Sequence, residues 1–254
     1  MANAFENDPN CKALFRYESG AFKADSIGSA SLAINGVYAV EPVIDEVTFW
    51  EGAASEYYAQ YTHDPFYVDN EPSDFPLHNG SGQTTFSVSF AYYQTGANES
   101  TFTLLEKSQS FALILEYYPT DEPVYNILTV YVYGDVTYDS DIPITAGRWY
   151  YITITFDAAT KELKLRVYDS DAETVATWST TTTSIPDDNN NELYIGDTAY
   201  EDTAYIDEVA FFNDVLTPDE IDEMRGGTYD PSGSGASGQA TTDDYTALNL
   251  GCIF

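Results

Sequence analysis

The sequence predicts an all-β protein, a two-sheet antiparallel sandwich with one short helix near its C-terminal end, and three observations carry that prediction. First, residues 147–169, GRWYYITITFDAATKELKLRVYD, hold two runs of strict apolar/polar alternation joined by a short polar turn. Ile152, Ile154 and Phe156 share one face, as do Leu163, Leu165 and Val167, the pattern of a half-buried antiparallel hairpin. The opposite face carries Tyr151, Thr153 and Thr155 against Lys164, Arg166 and Tyr168 and is expected to look toward water or a ligand. A hairpin with one apolar face needs a second sheet packed on it. Second, 22 tyrosines and 14 phenylalanines, with many threonines and valines, favour strands, and no stretch keeps a long 3.6-residue apolar period. Third, 254 residues fit one large all-β domain, which commonly runs to about 200–250 residues.

Taken in order, residues 1–10 read as an N-terminal arm, 11–230 as the sandwich and 231–254 as a Gly/Ser-rich tail with an apolar end. CKALFRYES (11–19) is the first strand. The stretch after it, with Ser26, Gly28 and Gly36, reads as a loop. Between 39 and 60, one or two strands are broken by Pro42 and Gly52. THDPFYVDNEPSDFPLHNGSG (62–82) reads as a long loop, and its His63 and His78 lack the third ligand of a zinc site. From Thr84, Phe86, Val88, Phe90 and Tyr92 alternate with small polar residues as a further strand. Residues 101–118 and 124–133 supply the next strands, separated by Pro119 and Pro123. After the central hairpin, ATWS (176–179) is a short strand in a polar connection, LYIGD (193–197) is another, and AYIDEVAFF (204–212) follows with Ile206, Val209 and Phe211 as core candidates. TPDEIDEMRGG (217–227) is the helix: an N-cap Thr217, Pro218 at the first helical position, Glu220 closing a capping box, and Gly226 with Gly227 as a stop.

Charge excludes whole classes of partner. With 42 Asp and Glu against 9 Lys and Arg, the net charge of -33 repels nucleic acid and anionic lipid. The carboxylates serve as a solvated shell or, in part, as oxygen ligands for calcium. No apolar run approaches the roughly 20 residues of a membrane span. MANAFENDPN has neither the basic nor the apolar region of a secretory signal, so the expectation is cytoplasmic synthesis, with any release occurring inside a particle.

In residues 124–133, Tyr125, Ile127, Thr129, Tyr131 and Tyr133 share one face, opposite Val124, Asn126, Leu128, Val130 and Val132. Exposed tyrosines stack on the apolar faces of sugar rings, so Tyr125, Tyr131 and Tyr133 are candidate glycan contacts; the same stripe also suits amphipathic cover or a subunit contact. Cys11 and Cys252 stand near opposite ends of the chain. Bridged, they would stabilise by about 5 kcal/mol on the loop-closure model. Reduced, they are two inert thiols, with neither the spacing nor the histidines of a metal or redox site.

RWYYITITFDAATKELKLRVYD, then LYIGD, then YIDEVAFFNDVLTPDEI, with ALFRYESG and DSIG as an opening strand and loop, resemble the LamG-like jelly-roll domains of the concanavalin A-like lectin/glucanase superfamily, over about residues 11–225. The resemblance implies a concanavalin A-like jelly roll. It also implies a structural calcium between the opening strand and the IDEV strand, with Asp207, Glu18 and Asp25 as ligands. Glycosidases of the superfamily use an E-I-D-x-E strand. Here EIDEM (220–224) places Met224 where the final acid belongs and sits in the Pro-capped helix, so no enzymatic activity is expected. Together these readings give a non-enzymatic protein that works by surface contact. The first expectation is a phage-type virion surface component, a capsid decoration or tail-associated protein, assembling through Met1–Asn10 and Pro231–Phe254. The alternative is a calcium-dependent carbohydrate-binding or adhesion module, and the third a glycoside hydrolase.

Overall fold

The computed structural model of the chain describes residues 4–16, 27, 29–34, 43–44, 57–61, 66–69, 73–78, 80–94, 101–118, 125–196 and 204–231. Its strands are β1 (Cys11–Phe15), β2 (Ser31–Ile34), β3 (Val43–Ile44), β4 (Tyr57–Tyr61), β5 (Phe66–Asp69), β6 (Phe86–Gln94), β7 (Phe102–Lys107), β8 (Phe111–Tyr118), β9 (Tyr125–Val132), β10 (Thr137–Ile144), β11 (Trp149–Asp157), β12 (Glu162–Asp169), β13 (Thr174–Thr181), β14 (Leu193–Ile195) and β15 (Ala204–Phe212); helix α1 is Pro218–Arg225. They form the two-sheet antiparallel jelly roll expected from the sequence. One sheet runs β13-β12-β11-β6-β15-β4-β3 with β1 also on β15, and the second runs β10-β9-β8-β7-β14-β5-β2.

The central hairpin forms as its alternation predicts, and its register sets Ile152 opposite Val167, Ile154 opposite Leu165 and Phe156 opposite Leu163. All six are buried in the core between the sheets, with Phe66, Phe90, Leu113, Leu128, Ile195 and Phe211. β15 has the bounds expected for it and carries a bulge: its register against β6 shifts between Asp207 and Ala210, and Glu208 takes a positive φ of 51°. The two halves of its outer edge therefore serve different strands. Ala204–Ile206 pairs with β4, and Val209–Phe212 pairs with β1.

The other face of the central hairpin departs from expectation. Tyr151, Thr153 and Thr155 are buried, not turned to water or a ligand. A second apolar layer covers this side of the first sheet, made of Phe5, Leu14, Trp149, Tyr151, Phe212, Leu216, Ile221, Met224 and Tyr229. Helix α1 belongs to it. Its capping box forms as expected, with Glu220 N–H donating to Thr217 Oγ1 at 3.3 Å and Thr217 N–H to Glu220 Oε2 at 2.8 Å. Ser87 Oγ ties the helix approach to β6, donating to the Asp214 carbonyl at 2.7 Å and accepting from Leu216 N–H at 3.0 Å. Residues of the N-terminal arm join the same layer: Phe5 packs 5.4 Å from the Tyr229 ring, and Asp8 accepts a hydrogen bond from the Tyr229 hydroxyl.

Three strands lie where the sequence reading placed none. β2 falls in the segment read as a loop after the first strand, β5 falls in the stretch 62–82 read as a long loop, and β10 went unread. ATWS is the middle of an eight-residue edge strand, and the first strand ends at Phe15. β10 is an edge strand with Asp139, Asp141 and Pro143 and a register shift between Asp139 and Pro143. Charge, proline and irregular pairing are what keep an edge from recruiting further strands, and they mask the alternation of Tyr138, Ser140, Ile142 and Ile144 with Asp139, Asp141 and Pro143.

Among the described residues every lysine and arginine is tied within the chain: Lys12 to Asp74, Arg16 to Glu208, Arg148 to Asp169, Lys164 to Glu162, and Arg166 and Arg225 to Asp222. Lys107 donates to the Asn191 carbonyl and Lys161 to that of Thr183, each at 2.7 Å.

Asp214 accepts from Asn10 Nδ2 at 2.8 Å beside the α1 N-terminus. Burial, then the neighbouring Asp8 and Glu220 charges, push its carboxyl up to about 6, from an ordinary 3.8. The folded chain thus holds this proton more tightly than the unfolded chain, and the stability it lends is full below about 3.8 and lost as pH rises through about 6. Asp214→Asn, which keeps an acceptor for Asn10, is expected to melt above the parent at pH 7.5 and close to it at pH 4 in thermal denaturation followed by circular dichroism. A lower melting temperature at both values contradicts this account.

Candidate functional site

Exposed aromatic side chains on a regular sheet are the chemically informative feature of a surface otherwise dominated by carboxylates. Tyr131 is 42% exposed and Tyr133 is 66% exposed. They stand at the end of β9 and in the turn after it, where Tyr133 N–H donates to the Ser110 carbonyl at 2.8 Å. Alternation along β9 sends Leu128, Val130 and Val132 into the core, which leaves Tyr131 on the outer face. The two rings border a cleft of about 430 Å³ whose lining includes Glu106, Ser110, Ala112 and Asp135. Ser110 is 1% exposed and its hydroxyl has no hydrogen-bond partner. A buried hydroxyl left unpaired costs free energy.

Hydrogen bonds tie Asp135, at the cleft, to neighbouring stretches of chain. Asp135 accepts from Tyr138 Oη at 2.7 Å, from Val136 N–H at 2.9 Å, and from Thr183 and Ser184 N–H at 2.6 and 3.1 Å. These bonds hold its carboxyl below the usual carboxylate range, so it is ionised at neutral pH. Ser108, also in the lining, accepts at its carbonyl from Asn189 and Asn191 Nδ2, at 2.9 and 2.7 Å.

Of the three tyrosines picked out in the sequence, the structure brings Tyr131 and Tyr133 to one cleft. Tyr125 begins the same strand, about 20 Å away at the usual rise per residue, and pairs with Tyr118. The side chain of Tyr125 lies outside the described residues. Ile127 and Thr129, expected on the exposed face with them, are 8% and 0% exposed; Thr129 Oγ1 donates to Asp139 Oδ1 at 3.2 Å. The sequence reading missed Tyr67 and Tyr194, which meet on the same outer face with ring centroids 6.2 Å apart. No local signal links them to β9, because they come from β5 and β14.

Asp207 is 1% exposed, on the outer face of the first sheet opposite Ala91, and its Oδ1 accepts from Glu208 N–H at 2.8 Å. Glu208 reaches Arg16 at 3.4 Å. Burial and the Glu208 charge push the Tyr151 hydroxyl far above its ordinary value. The other two expected calcium ligands, Glu18 and Asp25, lie outside the described residues, and among those described no set of three His, Cys, Asp or Glu is grouped to hold a metal. Cys11 is buried in β1, while Cys252 lies outside the described residues, as does His63.

EIDEM is helical, as expected. Ile221 and Met224 face the protein and Asp222 holds Arg166 at 2.5 Å. A second cleft, about 330 Å³, runs between α1 and the outer face of β11–β13, with Thr155, Lys164, Arg166, Thr177 and Ser179 on its floor. Its two cations are spent on Glu162 and Asp222. No described helix is long and apolar enough to cross a membrane.

The family described as Concanavalin A-like lectin/glucanases superfamily matches residues 69–222. No curated protein sequence matches the chain. Among solved structures, the chain is similar to domain 4 of AbnA, a GH43 extracellular arabinanase from Geobacillus stearothermophilus, in complex with arabinotriose, with a TM-score of 0.59 and 14% identity over 85% of this chain and 98% of that one. It is similar to the binding domain of botulinum neurotoxin DC in complex with SialylT, with a TM-score of 0.58 and 10% identity over 89% of this chain and 52% of that one. The binding domain of Paraclostridial Mosquitocidal Protein 1 gives a TM-score of 0.57 and 14% identity, covering 87% and 52%. The chain thus spans about half the length of the two toxin domains. At these identities the likeness is one of fold.

Proposed function

From the premise that the chain belongs to the Concanavalin A-like lectin/glucanases superfamily, we propose that it is a non-enzymatic glycan-binding module whose contact surface is the outer face of β7–β9. The observation that carries the reading is the exposed pair Tyr131 and Tyr133 beside a cleft with an unpartnered Ser110 hydroxyl. Tyrosine rings offer apolar faces to sugar rings, and Glu106, Asp135 and the tyrosine hydroxyls offer hydrogen bonds to sugar hydroxyls. The solved arabinanase domain holds arabinotriose and the neurotoxin domain SialylT, which lends the fold precedent for sugar ligands. The helical placement of EIDEM supports a binding role over hydrolysis, since a helix does not aim its acidic residues to one side as a strand does. The deciding experiment is a glycan array probed with the whole chain, with and without calcium. Signal on a defined group of glycans is the expected result, and a blank array under both conditions sinks the reading.

Calcium at Asp207, with Glu18 and Asp25, belongs to the same proposal as a structural ion. Adding calcium is expected to raise the melting temperature of the parent and leave Asp207→Asn unchanged; no gain in the parent removes the ion from the account. A place on a virion surface is a second reading, favoured by the charge of -33, which suits an outward-facing particle component. High copy number with large particles on a density gradient of the native source is its expected signature, and recovery only among small soluble species rejects it.

A further inference from the structure

We propose, resting on the glycan-binding reading, that the ligand is a linear oligosaccharide without acid groups, longer than a disaccharide, lying across the strands of the second sheet from Tyr131 over Ala112 to Tyr194 and Tyr67. The pairing registers set Tyr67, Tyr194, Glu106, Ala112 and Tyr131 directly beside one another on β5, β14, β7, β8 and β9. Directly paired residues share a face. Phe66, Val68, Leu193, Ile195, Leu113, Val130 and Val132, which flank these positions along the strands, point into the core, so the line looks outward.

The line has the profile of a site for a chain rather than for one sugar. At about 4.8 Å per strand, Tyr131 lies about 14 Å from Tyr194 and about 19 Å from Tyr67, too far apart for a single ring to touch both ends. Aromatic faces stand at the two ends. Between them Ala112 gives a low floor and Glu106 an acceptor for sugar hydroxyls. Burial, then the charges of Glu192 and Glu106, push the Tyr194 hydroxyl above its ordinary value, which keeps it a donor.

Charge selects the class. Glu106 lies in the line, Glu192 beside Tyr194, Asp135 beside the cleft, and Asp139 and Asp141 on the neighbouring β10. Of the cations nearby, Lys107 is 2% exposed with Nζ on the Asn191 carbonyl, and Lys161 has its Nζ on the Thr183 carbonyl. Uronate, sialate or sulfate groups would enter a field that repels them, within a protein of net charge -33.

The test is calorimetric titration of the whole chain with cello-, xylo- and arabino-oligosaccharides from disaccharide to pentasaccharide, beside oligogalacturonates of matched length. For at least one neutral series, affinity is expected to rise about tenfold between disaccharide and tetrasaccharide and then level, the worth of one more aromatic contact of about 1.4 kcal/mol. Tyr67→Ala with Tyr194→Ala is expected to erase that gain, so that the tetrasaccharide binds no more tightly than the disaccharide; Tyr194→Ala alone serves if the pair fails to fold. Affinity independent of length, a variant that binds the tetrasaccharide like the parent, or equal binding of oligogalacturonate overturns the proposal. So does a chain that binds other array glycans and none of these series, which leaves the broader reading standing; a blank array removes both.

Discussion

Replacing Tyr131 and Tyr133 together by alanine weakens glycan binding by about tenfold or more while the melting temperature stays within a degree or two of the parent. Each ring gives up a stacked contact worth about 0.5–1.5 kcal/mol beyond the area it covers, so the pair accounts for about 1–3 kcal/mol, or roughly 5- to 150-fold in affinity. Stability is spared because both rings are exposed and lie outside the core clusters, where substitutions usually cost no more than about 0.5 kcal/mol. Titration of each variant with the best array glycan, alongside thermal melts, separates the two effects. Unchanged affinity in the double variant places the sugar elsewhere, and a large fall in melting temperature makes the stripe a structural cover, the other role its sequence allows.

Phe211→Ala, at the opposite extreme of burial, costs about 3–5 kcal/mol of folding stability. The ring is fully buried in β15, 5.2 Å from that of Phe75 and 6.3 Å from that of Phe15, so it joins the strand after the bulge to β1 and to the segment before β6. Three parts of the chain distant in sequence meet on it, and no small shift of one strand fills the space it leaves. Urea unfolding measures the loss; a change below about 1 kcal/mol would mean that this corner repacks freely, as overlapping but unspecific cores do.

The parts of the fold legible in sequence are those whose signals are local. The alternation in 147–169 gave the hairpin of β11 with β12 and the residues that face the core, and Thr217, Pro218 and Glu220 gave the helix start, because turn geometry and capping are decided within a few residues. The buried outer face of β11 was not legible. Ser, Thr and Tyr serve equally at a water-facing surface and beneath a covering helix when their hydroxyls find each other, as Ser89 and Thr153 do at 2.7 Å. β5 hid among the prolines of 62–82, since four residues hold too few alternations to outweigh turn signals on both sides. Of the candidate site, Tyr131 and Tyr133 were visible as a stripe. Tyr67 and Tyr194 were not, because their place beside β7 depends on pairing between strands far apart in sequence, and nothing near either residue encodes that partner.

The binding of every described lysine and arginine to an acceptor of its own chain bears on the solvent this protein suits. With the described cations each tied to an acceptor of the chain, the outer surface is in effect a polyanion, and folding works against its self-repulsion. Dissolved salt screens that repulsion over a distance that contracts from about 8 Å at physiological ionic strength to about 3 Å at 1 M. Contacts such as Arg166 with Asp222, at 2.5 Å, are shorter than either length. Brine therefore relieves the many spread-out repulsions before it loosens the few close attractions, and the melting temperature is expected to rise as salt is added.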